Sequence, residues 1–528
     1  MYKKNRISLL LLSFVPLFFI ACVNENELKE VKPNIVLIMA DDMGYSDLGC
    51  YGSEISTHNI DRLAADGIRF NKIYNGSRCC PTRASLLTGL YPHNAGVGNM
   101  TFAPGKEGEK GPYQGYLSRD AVTIAEALKA VGYSSYLSGK WHVGEGVENW
   151  PRQRGFDRYF GLISGASSYF ELIKNQKRRR QMALDNESWE PPPEGFYMTD
   201  GITEHAIEWI NDPKREDDKP FFLYVAYTAP HWPLHALPED IAKYNGKYDV
   251  GWDSIRDRRY NKQIELGLLD ESTILSERSK NISSWKDVEN KEEWADRMEV
   301  YAAMIDRMDQ GVGRIVDELK KQGKFENTLI VFLSDNGASN EDIDKRGLND
   351  PNVPIGSRGS YTAYKEPWAN VSNTPYRFYK KSVFEGGIAS PFIAHWPAKI
   401  KKTGLIVDQL AHVSDFLPTF LDMANASYPK EFNNNSIKPI DGISLLPVLL
   451  TNKPISRGAL YWEHVGNKAV RDGKWKLVAN SWGEWELYDM NNDGSETNNL
   501  AEIYSDTLNV MVKKYDTWAK EIGVDQQN

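Results

Sequence analysis

A cysteine, a proline and an arginine stand at positions 79, 81 and 83, in a run that should form the first turn of a helix. Proline suits that turn, because its ring fixes φ and it has no N–H to leave unpaired. A thiol at this place has a lowered pKa, since the helix N-terminus carries a partial positive charge and Arg83 adds a full one. The run therefore predicts a reactive thiolate at Cys79, although the same residues also fit a buried structural cysteine.

Oxygen-bearing side chains follow two apolar runs of the chain. The run at 34–39 leads into Asp41 and Asp42, and the run at 328–333 leads into Asp335 and Asn336. Carboxylate and amide oxygens suit Ca²⁺ or Mg²⁺ and argue against Zn²⁺. A lone Asp-Asp pair is more often a solvated turn, but the second acid–amide pair favours a shared metal site.

Two more apolar runs end in side chains that bind anions or carry protons. Lys140 and His142 follow the run at 133–137, and His231 follows the run at 221–226. Continuous apolar strands separated by helical patterns indicate a largely parallel sheet with helices on both faces. Ligands of such sheets bind beyond the carboxyl ends of the strands, so we expect these side chains at one edge.

Together these motifs resemble the formylglycine-dependent sulfatases, in the arylsulfatase-like branch of the alkaline-phosphatase superfamily. The run at 79–83 is similar to the family signature Cys-x-Pro-x-Arg, and 139–144 is similar to its Gly-Lys-Trp-His-x-Gly element. The resemblance extends from about Pro33 to the C-terminus and includes runs at 368–380, 385–388, 441–447 and 485–489. It implies an α/β fold: a large domain with a mixed, mostly parallel sheet flanked by helices, and a small C-terminal α+β domain with an antiparallel sheet.

The resemblance also implies the nucleophile and the proton carriers. In that family a maturase oxidises the residue matching Cys79 to formylglycine, whose aldehyde hydrate attacks sulfur. The second hydroxyl, deprotonated by the residue matching His142, then expels sulfate and regenerates the aldehyde. The candidate acid for the leaving alcohol is His231 or Lys380. Arg83 completes the predicted catalytic set.

The remaining implied roles concern sulfate and metal. Lys140 would bind the nucleophile and sulfate, and Lys380 would be the second sulfate-binding lysine, because it lies five residues before Glu385. Lys381 is adjacent and competes for that assignment. The divalent cation, calcium rather than magnesium, would be held by Asp41, Asp42, Asp335, Asn336 and the matured Cys79.

Other histidines and cysteines receive less specific predictions. His93 and His464 are candidate substrate contacts, whereas His395 and His412 lie in apolar runs typical of core positions. Cys80 is expected to be a packed thiol, and whether it forms a disulfide with Cys50 is left open.

Charge and cysteine content limit the function classes. The net charge of −9 argues against binding of nucleic acid by the surface as a whole. An anionic substrate must therefore be bound by a local cluster of Lys, Arg and His. The four cysteines are too few for a secreted fold that depends on disulfides.

The N-terminus is predicted to be a processing segment. Residues 1–22 combine a basic start, a short apolar stretch and a sequence resembling a bacterial lipobox, which would make Cys22 the lipidated first residue of the mature protein. An ordinary cleaved signal is the alternative. Residues 23–32 would be a tether, 33–453 the catalytic domain and 454–528 the C-terminal subdomain. We expect an exported bacterial lipoprotein, periplasmic or on the cell surface, that meets the membrane only through its lipid.

The segment from about 248 to 293 is polar and charged, and is expected to be a surface excursion. It precedes a long helix with an apolar stripe from Met298 to Leu319.

These observations predict a sulfatase that hydrolyses a sulfate monoester, with a sulfated glycan as its substrate. Two alternatives remain. One is a phosphonate monoester or phosphodiester hydrolase of the same superfamily, which shares the signature. The other is a non-catalytic glycan-binding lipoprotein that keeps the fold.

Overall fold

The computed structural model describes residues 1, 31–101, 111–173, 180–216, 219–481 and 483–524 of the chain. The predicted signal peptide, Cys22 and most of the predicted tether lie outside the described residues. The described residues from Pro33 onward belong to one compact unit, and the predicted boundary at 453 remains a prediction.

The main sheet is mixed, and the described residues contribute ten strands to it: β1 (Asn34–Ala40), β2 (Ile68–Tyr74), β3 (Ser134–Gly139), β4 (Arg158–Leu162), β5 (Met182–Leu184), β6 (Glu187–Trp189), β7 (Phe221–Ala226), β8 (Thr328–Ser334), β9 (Ala389–His395) and β10 (Leu405–Val407). Their spatial order is β10-β2-β9-β8-β1-β7-β3-β4-β5-β6. The central strands from β8 to β4 run parallel, while β9, β5 and β6 are antiparallel to their neighbours.

Both faces of this sheet are covered by helices. Along β1, Ile35, Leu37 and Met39 pack on one face, and Val36 and Ile38 pack on the other. A strand buried on both sides needs an unbroken apolar sequence, which is why these strands do not alternate with polar residues. The structure confirms the predicted α/β class.

The helices of the described residues are α1 (His58–Ala65), α2 (Cys79–Thr88), α3 (Ile124–Lys129), α4 (Met198–Ile210), α5 (Pro238–Ile241), α6 (Gly251–Glu265), α7 (Lys291–Lys321), α8 (Lys365–Ser372), α9 (Glu385–Ile388), α10 (Phe416–Met423), α11 (Leu446–Thr451) and α12 (Ser505–Glu521). Helices α1, α4, α6, α7 and α8 cover the Val36 face. Helices α2, α3, α10 and α11 cover the opposite face. None of the helices among the described residues has both the length and the apolar content needed to cross a bilayer.

The strand register brings the predicted chemistry to one edge. Met39 of β1 pairs with Ala226 of β7 and with Leu333 of β8, and Gly139 of β3 also pairs with Ala226. The residues that follow these four strands therefore leave the sheet at the same level. This is the arrangement expected from parallel strands.

Two smaller sheets follow the main one. A short hairpin joins β11 (Glu431–Phe432) and β12 (Asn435–Ser436). The second sheet is antiparallel and contains β13 (Leu460–His464), β14 (Asn467–Asp472), β15 (Trp475–Ala479) and β16 (Glu486–Asp489). Helix α12 packs on it through Met511, Tyr515 and Trp518.

The segment at 248–293, expected to be a surface excursion, is partly buried. It contains α6, which buries Trp252 and Ile255 in the main core. Arg259 of α6 is also buried, with Nη1 2.6 Å from Asp47 Oδ1 and Nη2 2.8 Å from Glu54 Oε1. Since Asp47 and Glu54 balance the charge of this arginine, the charged composition of the segment did not indicate exposure.

Candidate active site

Cys79 is the first residue of α2 and is buried. Its sulfur, the sulfur of Cys80 and a ring nitrogen of His142 lie within 4.8 Å of one another. A hydrogen bond with Cys80, together with the nearby Lys140 and His142, lowers the pKa of Cys79 well below its usual range despite burial. Burial and the same hydrogen bond raise the pKa of Cys80. The two adjacent thiols are thus unequal, and Cys79 is the more acidic of the two.

The disulfide question left open by the sequence has an answer. Cys50, Cys79 and Cys80 are all free thiols in the structure.

Arg83 lies near the Cys79 thiol, as expected, and it also pairs with an acid. Its Nη2 and Nε lie 2.7 and 3.2 Å from Asp335 Oδ2, and Nη1 donates to the backbone oxygen of Lys140 at 3.2 Å. Arg83 is fully buried, so this pair is desolvated and its geometry is well defined. Arg83 therefore links the residues that follow β3 to those that follow β8.

The four predicted oxygen ligands form one buried cluster. The Asp42 N–H donates to Asp335 Oδ1 at 3.2 Å, and Asn336 Nδ2 donates to Asp42 Oδ1 at 2.7 Å. Asp41 Oδ1 and Asn336 Oδ1 are buried and have no hydrogen-bond partner among the described residues. Burial raises the pKa of Asp41 and of Asp335, and in each case neighbouring carboxylates add to the rise. Buried oxygens without donors, beside carboxylates that repel one another, fit a hard divalent cation such as calcium.

Two lysines and a histidine face the same cluster. Lys140 Nζ lies 2.6 Å from Asp41 Oδ2, Lys380 Nζ lies 2.7 Å from Asp42 Oδ1, and His231 Nε2 lies 3.4 Å from Asp42 Oδ2. Lys381 instead pairs with Glu341 at 2.8 Å and is 41 % exposed. Of the two adjacent lysines, the structure therefore brings Lys380 to the cluster.

A hydrogen bond orients the ring of His231, and the backbone at His142 and Asp42 has positive φ. His231 Nδ1 lies 2.6 Å from the carbonyl oxygen of Trp232, and burial lowers the pKa of His231 to about 3. A neutral ring that donates from Nδ1 leaves Nε2 as the atom that exchanges protons. His142 has φ of 56° and Asp42 has φ of 66°. Such conformations cost about 1–3 kcal/mol each and are typical of residues whose position serves a site.

A cavity of about 260 Å³ opens above Cys79. His142, His231 and Lys380 line it, as the sequence predicted they would lie together. Its wall also contains residues that the sequence analysis missed: Arg78, Arg180, Trp232, Glu341 and Arg346. Arg78 and Trp232 are adjacent in sequence to the predicted site residues Cys79 and His231. Nothing in the sequence indicates Arg180, Glu341 and Arg346, because they come from loops distant in the chain.

The two predicted substrate contacts, His93 and His464, are not among the described residues that line the cavity. His93 Nε2 lies 2.8 Å from Glu463 Oε2, and the His93 ring packs edge-on against Trp518. His464 is fully buried, with Nδ1 3.3 Å from the backbone oxygen of Gly98. Their predicted role remains a prediction.

His395 and His412 are buried, as expected for core positions. The ring of His395 packs against Phe325, and His412 Nδ1 lies 2.8 Å from Ser414 Oγ.

Comparison with known proteins yields consistent matches. Residues 33–426 match the family model described as Sulfatase, and residues 375–517 match one described as N-sulphoglucosamine sulphohydrolase, C-terminal. The chain is 34% identical to an uncharacterized sulfatase of Schizosaccharomyces pombe, over 93% of this chain and 94% of that protein. It is 33% identical to an arylsulfatase of Klebsiella aerogenes, over 79% of this chain and 92% of that protein. Among solved structures, Ps i-CgsB in complex with k-i-k-neocarrahexaose has a TM-score of 0.68 and 28% identity, covering 92% of this chain and 93% of that chain.

Proposed function

The chain belongs to the sulfatase family and is a sulfuric ester hydrolase, and from this premise we propose that it removes an O-sulfate group from a glycan through a formylglycine made from Cys79. The observation that carries the proposal is the meeting of Cys79, the buried oxygen cluster, two lysines and two histidines at one edge of the sheet. A cysteine with only a structural role would not require these groups around it.

The chain's own residues suit the charge distribution of a sulfate ester. The ester carries its negative charge on oxygens around sulfur, so fixed cations stabilise it better than a strong base would. Lys140 and Lys380 supply two such cations, and neither is exposed. Asp41, Asp42, Asp335 and Asn336 would hold the calcium ion, which supplies a further positive charge.

Two proton carriers face the cavity. His142, within 4.8 Å of the Cys79 sulfur, would accept a proton from the group that occupies position 79. Lys380, whose pKa the charge of Asp42 raises against the effect of burial, would give a proton to the leaving oxygen, and the neutral His231 ring would face that oxygen through Nε2. When formylglycine is formed, its hydrate supplies two hydroxyls, one to attack sulfur and one to release sulfate. An unmodified cysteine or serine has no second hydroxyl for that release.

A glycan substrate is supported by the cavity and by one relative. The cavity, about 260 Å³, is slightly smaller than most ligand pockets, which range over roughly 300–1,000 Å³. It can therefore hold only a small part of a polymer, such as the sulfated unit. Ps i-CgsB, similar over nearly the whole chain, was solved with a neocarrahexaose bound.

The proposal is tested with protein co-expressed with a sulfatase maturase. Peptide mass analysis should show Cys79 converted and Cys80 intact. Cys79→Ala should abolish hydrolysis of an aryl sulfate, while Cys80→Ala should remain active. Hydrolysis that survives Cys79→Ala would refute the proposed nucleophile. Faster turnover of an aryl phosphodiester than of an aryl sulfate would instead favour the phosphodiesterase alternative.

We also propose that the protein is exported and anchored by a lipid on Cys22. The support is the sequence of residues 1–22, with its basic start and lipobox-like end. Metabolic labelling with a fatty acid should label the wild type and leave Cys22→Ser unlabelled. An unlabelled wild type would refute the lipid anchor.

A further inference from the structure

The wall of the catalytic cavity is basic, although the protein carries a net charge of −9. Arg78 precedes α2, Arg180 lies just before β5, and Arg346 ends a short 3₁₀ helix at Asp344–Arg346. These arginines are additional to Lys380, which lines the same cavity, and to Lys140, which lies near Cys79. The cavity thus contains more positive charge than one sulfate monoester requires.

Arg78 contributes a positively charged group to the cavity wall. Its side chain is half-buried, and its Nε is buried with no hydrogen-bond acceptor among the described residues. Leaving a buried donor of a charged group unsatisfied is costly, so an acceptor in the cavity would be favourable.

Arg180 and Arg346 lie close to each other. The guanidinium of Arg346 lies 4.3 Å from the centroid of the Trp232 ring, and Arg346 is exposed. Burial lowers the pKa of Arg180, and the charge of Arg346 lowers it further, although Tyr361 opposes the shift. Two like charges that repel each other across a cavity create a place where an anion is attracted to both.

The negative charge of the acid in this wall is already paired with a lysine. Glu341 is the carboxylate among the described lining residues. It accepts a hydrogen bond from Trp232 Nε1 at 2.7 Å and pairs with Lys381 at 2.8 Å. Glu341 therefore positions Trp232, and its charge is balanced by a lysine outside the cavity wall.

Resting on the proposed glycan sulfatase function, we propose that Arg78, Arg180 and Arg346 bind a second anionic group of the substrate, beside the sulfate that is hydrolysed. The ligand is a sulfate ester or a carboxylate on the same sugar or on the next one. The substrate class is accordingly a polyanionic glycan, either multiply sulfated or both sulfated and uronic. Arginine suits this role, because its planar donors can bind a sulfate or carboxylate through two hydrogen bonds at once.

The experiment compares kcat/KM of the matured enzyme on three matched saccharides and on an aryl sulfate. One saccharide carries only the reacting sulfate, the second adds a neighbouring sulfate, and the third adds a neighbouring uronate carboxylate. We expect the second anion to raise kcat/KM at least tenfold over the monosulfated sugar. A gain with only one of the two anions supports the proposal and identifies the group.

Arginine variants then locate the effect. Arg346→Gln, Arg180→Gln and Arg78→Gln should each reduce the preference for the second anion by roughly tenfold, the size expected for a charge-assisted hydrogen bond. Arg314→Gln is the control, because Arg314 is a half-exposed arginine of α7 outside the cavity wall. Folding is checked by thermal melting of every variant.

Failure of this inference is separable from failure of the proposed function. An enzyme that hydrolyses the monosulfated sugar but gains nothing from a second anion overturns only the inference. Equal preference in the wild type and all three arginine variants also overturns it. A matured enzyme inactive on every sulfate ester would refute the proposed function.

Discussion

Lys476 of β15 donates to Glu385 of α9 at 2.7 Å, and both side chains are fully buried. Glu385 also binds Lys72 of β2 at 2.7 Å, and Lys476 also binds Glu496 at 2.6 Å. The main sheet and the C-terminal sheet are therefore joined by a chain of buried charges. Glu385 lies five residues after Lys380, so this chain ends close to the catalytic cavity.

Removing the central cation should destabilise the protein. At pH 8, where Glu496 is ionised, Lys476→Met leaves Glu496 without its lysine and Glu385 without one of its two, and breaking a buried pair in this way costs about 3–5 kcal/mol. The free energy of unfolding from urea titration measures the effect. Lys262→Met is the matched control, because Lys262 forms an exposed pair with Glu265 that contributes at most about 1 kcal/mol.

The double variant Lys476→Met/Glu496→Gln tests the physical reason. It should recover part of the loss, because the unpaired carboxylate is then absent. If the double variant is as unstable as Lys476→Met, lost packing of the lysine stem explains the result instead.

The same cluster predicts a dependence of stability on pH. Burial raises the pKa of Glu496 to about 7, with the charge of Glu385 adding to the rise and Lys476 opposing it. In the unfolded chain Glu496 ionises near its ordinary value of 4.5. Between these values the folded state holds a proton that the unfolded state has lost, so stability falls as pH rises through this window. The loss is on the order of 3 kcal/mol and is complete above about pH 7.

Glu496→Gln should remove this dependence, because the amide mimics the protonated acid and does not ionise. The variant's unfolding free energy relative to wild type should therefore increase between pH 5 and pH 8. Glu502→Gln, at an exposed position, should show no such trend. A constant difference between Glu496→Gln and wild type would show that Glu496 does not titrate in this range.

The centre of the site was predictable from the sequence for a physical reason. Parallel strands buried on both faces must be apolar throughout, so the polar residues at their ends stand out. Asp41, Lys140 and Asp335 were found in this way, and the register of β1, β3, β7 and β8 brings them together. Only their detailed partners, such as Arg83 with Asp335, required the structure.

The cavity wall was not predictable in the same way. Arg180 and Arg346 lie in loops, where no periodicity relates a residue to its neighbours in space. Arg259 of α6 shows the converse difficulty, because a charged helix was buried through pairs with Asp47 and Glu54 that are distant in sequence. The place of the cavity arginines and the burial of Arg259 both depend on contacts between residues distant in the chain. Sequence spacing carries little information about such contacts.

The oxygen cluster predicts that calcium stabilises the protein. A cation that binds only the folded state at 100 times its dissociation constant adds about 2.7 kcal/mol. Calcium added after chelation should therefore raise the melting temperature of wild type. Asp41→Asn should abolish most of this shift, because Asp41 Oδ1 is buried without a donor.

Asp317→Asn, at a highly exposed position of α7, should keep the full shift and is the control. Magnesium should give a smaller shift than calcium, since it loses its water ligands reluctantly. A calcium shift in Asp41→Asn equal to that of wild type would exclude Asp41 as a ligand.

Gly165 lines the cavity and packs directly against the ring of His142. A Cβ added at Gly165 would lie 2.4 Å from His142 Cε1 and 2.6 Å from Nε2, and the nearest atoms it meets all belong to that ring. Gly165→Ala should therefore displace the imidazole while leaving the fold intact. Displacement of a catalytic group by about 1 Å can cost roughly 100-fold in rate, so we expect kcat to fall by that order and KM to change little.

Gly458→Ala, where the new Cβ meets nothing within 4 Å, should match wild type in steady-state kinetics on an aryl sulfate. Unchanged kcat in Gly165→Ala, with a melting temperature like that of wild type, would show that the position of His142 does not limit turnover.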